Sequence, residues 1–195
     1  MGTNIINIGY DSTNYYVVAS DLGKKLLIDC GWPGTMGKLR GLMRRKGIEP
    51  SQVNYLLVTH FHPDHAGLTQ ELRNEGMQLS LIEPQLPYVK ELKSHMKPDS
   101  GYVEIVVEGS FVLKPEDSRA FLKKAGINGE IVPTPGHSPD SVSLVLDEGI
   151  AFTGDLTNEF MLTEEDVVCR ASWRRIYDMG TKMVYPAHGN IYPSK

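Results

Sequence analysis

The stretch Thr59-His60-Phe61-His62-Pro63-Asp64-His65-Ala66-Gly67 constrains this chain more than any other. Four metal-type ligands, His60, His62, Asp64 and His65, fall within six positions. Tyr55 to Thr59, just before, is short, apolar and β-rich, and reads as a buried strand. Leu68 to Arg73, just after, reads as a helix closed by Gly76. The ligands therefore lie on a strand-to-helix loop, where α/β proteins build their sites. His60 and His62, two apart in extended chain, point the same way and can hold one metal. Pro63 fixes a turn from which Asp64 and His65 can face a second. Imidazole and carboxylate ligands suit zinc, and also iron or manganese. The plainer reading, a polar loop whose histidines only bond backbone, sits poorly with three histidines and an aspartate in six residues.

Three more motifs follow in order: Thr134-Pro135-Gly136-His137-Ser138, Phe152-Thr153-Gly154-Asp155 and Tyr185-Pro186-Ala187-His188-Gly189. Alone, Pro-Gly-His and Gly-Asp are common turn chemistry. Their weight comes from order and joint occurrence. With the H-x-H-x-D-H stretch they resemble the metallo-β-lactamase superfamily over residues 60 to 188. The resemblance implies an α/β fold, the four-layer αββα sandwich, with metal at one sheet edge. It assigns His60, His62 and His137 to a first metal and Asp64, His65 and His188 to a second. Asp155 would bridge them, since a carboxylate has two oxygens to offer. It also implies two divalent ions, zinc before iron or manganese, and a bridging hydroxide that attacks a carbonyl. Asp155 and Asp64 take the catalytic roles, Asp64 by orienting the nucleophile or passing a proton to the leaving group. Asp29 resembles an early aspartate that supports the ligands from behind.

With 195 residues, 41% hydrophobic and 23% charged, one domain over 1–195 with a sizeable core is expected. The net charge of −4 carries no footprint of nucleic acid or an anionic membrane. No basic-then-apolar N-terminal segment and no apolar run of bilayer length is present. A cytoplasmic protein with a small-molecule substrate is expected, and a homo-oligomer stays open. Cys30 and Cys169 form no CxxC pair and read as packing residues.

In chain order, strands are expected over Asn4 to Tyr10, Asn14 to Ser20 and Lys24 to Asp29. A helix over Thr35 to Lys46 would bury Met36, Leu39, Leu42 and Met43. Met77 to Ile82 reads as a strand and Pro84 to Lys93 as a helix. Tyr102 to Val107 and Ser110 to Leu113 read as short strands, and Pro115 to Ala125 as a helix. Val142 to Leu146 and Ile150 to Thr153 form a hairpin, a helix starts at Thr163, and Met183 to Tyr185 is a last strand. The segment from Pro84 to Pro115 is expected to cover the metal cleft in part, with Tyr88 and Tyr102 as contacts and His95 on the surface or in the lid.

An aspartate at position 155 resembles the glyoxalase II, lactonase and phosphodiesterase branches rather than true lactamases, which commonly place cysteine or serine there. His188 lies seven residues from the end of the sequence, and none of the accessory domains of glyoxalase II, the RNA nucleases or the flavin-linked members is expected. Asn158 stands where lactonases often carry tyrosine, unless Tyr102 supplies that donor. Asp140 stands where glycine is commoner; an acid there fills the pocket or caps a turn, and the cap is the first reading. The expected activity is hydrolysis of a small thioester or ester, with a lactone next. The alternatives are a phosphodiesterase, mononuclear iron persulfide oxidation, and a non-catalytic metal-binding or sensory module.

Overall fold

The computed structural model describes residues 3–194. One sheet is ordered β1 (Asn4–Asn7), β2 (Tyr16–Ala19), β3 (Lys25–Ile28), β4 (Tyr55–Leu57), β5 (Gln78–Ile82) and β6 (Phe111–Leu113). Its first three strands pair antiparallel and β3 to β6 run parallel. The other contains β7 (Gly129–Pro133), β8 (Val142–Leu146), β9 (Ile150–Gly154), β10 (Met183–Pro186) and β11 (Tyr192–Pro193), in the order β11-β10-β9-β8-β7. The helices are α1 (Met36–Arg45), α2 (Pro63–Ala66), α3 (Thr69–Asn74), α4 (Leu86–Glu91), α5 (Ser118–Lys124) and α6 (Val167–Asp178).

Successive strand residues serve opposite faces, so each sheet buries two apolar sets. Leu26, Ile28 and Leu57 of the first sheet cluster with Leu144, Leu146 and Phe152 of the second. Leu27 and Leu56 point the other way, into a cluster with Leu39 and Met43 of α1 and Leu72 of α3. Val145, Ala151 and Val184 leave the second sheet on its outer side and meet Trp173 and Ile176 of α6. The result is helix, sheet, sheet, helix, the expected αββα sandwich. Truncating a sheet–sheet residue such as Phe152 to alanine would cost about 3–5 kcal/mol.

Three expected elements differ, each for a hydrogen-bonding reason. β1 stops at Asn7 because Asp11 and Ser12 take left-handed φ values of 50° and 68°, closing a tight turn between Tyr10 and Thr13. Tyr102 to Val107 is no strand. It lies across α3, where the Val106 N–H donates to Gln70 Oε1 (2.9 Å) and Arg73 donates to the Glu108 carbonyl (2.8 Å). α6 starts at Val167 rather than Thr163. The Asp166 carboxylate accepts from the Thr163 N–H (2.7 Å) and hydroxyl (2.8 Å), so residues 163–166 form a turn. Cys30 and Cys169 are buried and unbridged. Among the described residues no helix is long and apolar enough to cross a membrane.

Candidate metal centre

The polar residues singled out above gather at the C-terminal ends of strands from both sheets. Asp29 follows β3, the His60–His65 loop follows β4, His137 follows β7, Asp155 follows β9 and His188 follows β10. Strand ends are where open α/β sheets expose backbone and side chains to a ligand. Two glycines make the approach close enough. Gly154 has φ +55°, and a Cβ there would lie 2.6 Å from Thr59 Oγ1. A Cβ on Gly136 would run into the Cys169 sulfur, so glycine lets the His137 loop lie against α6.

Among the described residues, His60, His62 and His137 form one group whose ligand atoms lie within 4.8 Å of one another, and Asp64, His65, Asp155 and His188 form another. In the first, His62 Nδ1 lies 3.0 Å from His60 Nε2 and 3.1 Å from His137 Nε2. Imidazole lone pairs so close repel unless a proton or cation is shared among them. In the second, the buried Asp29 carboxylate takes the His65 Nδ1 at 2.9 Å while accepting from the Thr59 N–H (2.7 Å) and hydroxyl (2.8 Å). That turns His65 Nε2 toward Asp64 Oδ2 and Asp155 Oδ2, each at 3.3 Å. His188 donates from Nδ1 to the Ser12 carbonyl (2.9 Å), which aims its Nε2 at Asp64 Oδ2 and Asp155 Oδ1, again at 3.3 Å. The Tyr15 hydroxyl anchors this loop by donating to the Asp64 carbonyl (3.0 Å). His65 Nε2 and Asp155 Oδ1 are buried and hydrogen-bonded to nothing.

The electrostatics separate the two groups. Burial disfavours a charged His65, but the Asp29, Asp155 and Asp64 carboxylates outweigh it and hold its pKa well above the usual histidine value. His60 is as deeply buried, and burial with the adjacent His65 pushes its pKa well below that value. Burial and His137 lower His62 too, against the pull of Asp140. Burial would raise Asp64, yet the adjoining His65, with Nε2 3.3 Å from Oδ2, brings it down to about 2. Asp155 falls below the usual carboxylate range for the same reason. Neutral His60 and His62 on one side, and a His65 drawn toward positive charge by ionised carboxylates on the other, make a donor set that fits divalent cations.

Two cavities flank the ligands. One, of about 270 Å³, is walled by Leu156, Met161, Pro186 and Tyr192 beside Asp155 and His188. The other, of about 310 Å³, has Phe61, Tyr88, Glu91 and His95 beside His62 and His137. Tyr88 thus lies where a cover was expected, and the His95 ring comes within 6.0 Å of the His62 ring, centre to centre. Tyr102 instead packs on the core beneath the helices. Asn158 lines the first cavity and caps the Phe160 N–H (3.1 Å). A larger cavity of about 570 Å³, between Phe160 and α6, touches none of the seven residues. Asp140 lines the second cavity and its Oδ1 takes the hydroxyl of Ser138 in its own turn, so both expected roles are present, but a long-range one is added. Its carboxylate crosses to the Phe61 N–H (2.7 Å), between two histidines of the first group. The only sign of it in the sequence is an acid at a position where glycine is commoner.

An αββα sandwich with imidazoles and carboxylates across the ends of both sheets defines a class of metal-dependent hydrolases. The chain belongs to the metallo-β-lactamase superfamily, whose family model matches residues 8–188. It is 26% identical over 196 residues to the Beta-lactamase-like protein 2 homolog of Drosophila melanogaster, covering 98% of this chain and 63% of that protein. The Caenorhabditis elegans protein of the same description is 29% identical over 182 residues, covering 92% of this chain and 56% of its own. The chain therefore spans between about half and two thirds of the length of these two relatives. A metallo-β-lactamase family protein of Thermus thermophilus superposes with a TM-score of 0.76 at 20% identity, over 98% of this chain and 75% of that one. The metallo-β-lactamase MIM-1 of Novosphingobium pentaromativorans gives 0.71 at 22% identity, over 95% and 73%. These likenesses show a shared fold.

Proposed function

We propose that the protein is a dinuclear metallohydrolase. His60, His62 and His137 hold one divalent ion, Asp64, His65 and His188 hold the other, and Asp155 is shared. The position of Asp155 carries this reading. Its Oδ2 lies 3.3 Å from His65 Nε2, 3.6 Å from His137 Nε2 and 3.8 Å from His60 Nε2, so one oxygen adjoins both groups. Zinc suits this donor set first, with iron or manganese next. When bound, such ions bring a water's pKa toward neutrality and polarise the carbonyl under attack.

The chain's own residues orient and enclose. Asp29 fixes the His65 ring through Nδ1, leaving Nε2 for the ligand. Asp64, ionised down to about pH 2 beside His65, is better placed to accept a hydrogen bond and orient a nucleophile than to donate a proton. Leu156, Met161, Pro186 and Tyr192 give the cavity beside Asp155 an apolar wall, which suits an acyl group. We therefore read the substrate as a small thioester or ester, with a lactone next, since Asn158 offers no phenol. One domain and a cytoplasmic setting complete the reading, in keeping with two buried, unbridged cysteines.

The test is zinc-loaded protein on a panel of thioester, ester, lactone and phosphodiester. Turnover of the first two is expected, lost on chelation and restored by zinc. Preference for the phosphodiester would replace the substrate reading. Two bound ions with no turnover on any member would leave a metal-binding module.

A further inference from the structure

Asp140 is 2% exposed, deep in the fold behind the first group of histidines. It lies three residues beyond His137, yet its Oδ2 accepts from the Phe61 N–H at 2.7 Å, across 79 residues of sequence. Its Oδ1 takes the Ser138 hydroxyl. Its own backbone carbonyl accepts from Gln85 Nε2 (3.2 Å), and the same amide donates to the Val58 carbonyl (3.0 Å) just after β4. Gln85 is completely buried, and its Oε1 accepts from the Ile82 N–H (3.1 Å). The His137 loop and the His60–His62 loop, which belong to different sheets, are thus tied together by one carboxylate and one amide.

Phe61 is the residue between His60 and His62, and its backbone dihedrals set the angle between those two imidazoles. We propose that Asp140 is a positioning residue for the His60, His62 and His137 group: by holding the Phe61 N–H it sets the registry of all three imidazoles around one ion. This rests on the reading that the group binds metal. An unmet Phe61 N–H would be a buried, unpaired donor, and the loop would turn to satisfy it. Groups behind metal ligands typically contribute about 10–100-fold to metal affinity. The neighbouring Asp64, His65 and His188 group draws its support from Asp29, Ser12 and Tyr15 instead, so it serves as an internal control.

Zinc affinity is measured by chelator competition on the whole chain, with imidazole ¹⁵N resonances reporting which histidines take up the ion. D140A and D140G are expected to lose about 10–100-fold at His60, His62 and His137, with affinity at His65 and His188 unchanged. D140N should recover most of the loss, because its amide oxygen still accepts from Phe61 and its NH₂ donates to Ser138. D140N is isosteric, so it serves where the truncated variants do not fold: its neutral oxygen holds the Phe61 N–H less strongly than a carboxylate, so a several-fold loss confined to His60, His62 and His137 is expected, and unchanged affinity there counts against the assignment. Unchanged affinity in D140A and D140G, equal loss in both groups, or a disordered first group in D140N overturns the assignment. Wild-type protein that takes up no zinc at His60, His62 and His137 overturns the metal reading and this inference with it.

Discussion

Replacing Asp155 with asparagine tests the centre where its two ligand groups meet. Asparagine keeps the size and one oxygen, removes the charge, and turns the other oxygen into an NH₂ donor. In one rotamer that donor faces His65, His137 and His60 Nε2 at 3.3 to 3.8 Å; in the other it faces His188 Nε2 at 3.3 Å. Either way a donor meets nitrogens whose lone pairs are the proposed metal ligands. Losing one electrostatic group of a transition state costs about 2.7–4 kcal/mol, a drop in kcat of about 100- to 1000-fold. The fold should survive, because the substitution leaves the left-handed Gly154 and the three imidazoles of the first group in place. One ion should remain bound. The acidic limb of the pH profile should move upward if chemistry limits the rate, since a single ion lowers a water's pKa less than two. The assay is kcat, bound metal and circular dichroism on the same preparation. A folded Asp155→Asn protein with wild-type kcat and full metal content would make Asp155 an ordinary turn residue and refute the shared-carboxylate argument.

Elemental analysis of metal-replete protein should give about two ions per chain, and anomalous scattering should place them ~3.5–4 Å apart; one tightly held ion would count against the second group. Asp29→Asn should weaken metal at His65 and His188 by about 10–100-fold and the first group less, since Asp29 reaches His60 only through the Thr59 hydroxyl, 3.2 Å from His60 Nδ1, read by the same chelator competition; equal weakening of both would assign Asp29 to general stability. Gly154→Ala sets a methyl 2.6 Å from Thr59 Oγ1 at a φ of +55°. That should cost about 2–3 kcal/mol in strain and overpacking, or ~4–12 °C in Tm, and a variant melting with the wild type would show that the loop relaxes freely.

The seven candidate ligands are legible in the chain because each stands in a short local motif of turn-forming residues, although Asp29, Ser12 and Tyr15, remote in sequence, orient His65, His188 and the Asp64 loop. Pro63 shapes the turn after His62, Gly136 permits the approach before His137, and Gly154 takes the left-handed φ before Asp155. The alternation that marks β3, β4, β8 and β9 is equally local, since a two-residue period follows from strand geometry alone. Hydrogen-bond partners at long range are another matter. Tyr102 to Val107 has strand-like residues, yet its backbone is met by Gln70 and Arg73 of α3 before any strand can pair with it. Thr163 is a local case: it opens what resembles a helix, but the Asp166 carboxylate three residues on takes its N–H and closes a turn instead. Asp140 would cap its own turn in isolation; in the folded chain Phe61, from the other sheet, presents a buried N–H 2.7 Å away. A carboxylate or amide bonds whichever buried donor the packing brings to it, because leaving that donor unmet costs more than giving up a local turn. Which donor arrives is decided by two sheets closing on each other, and no spacing along the chain records it.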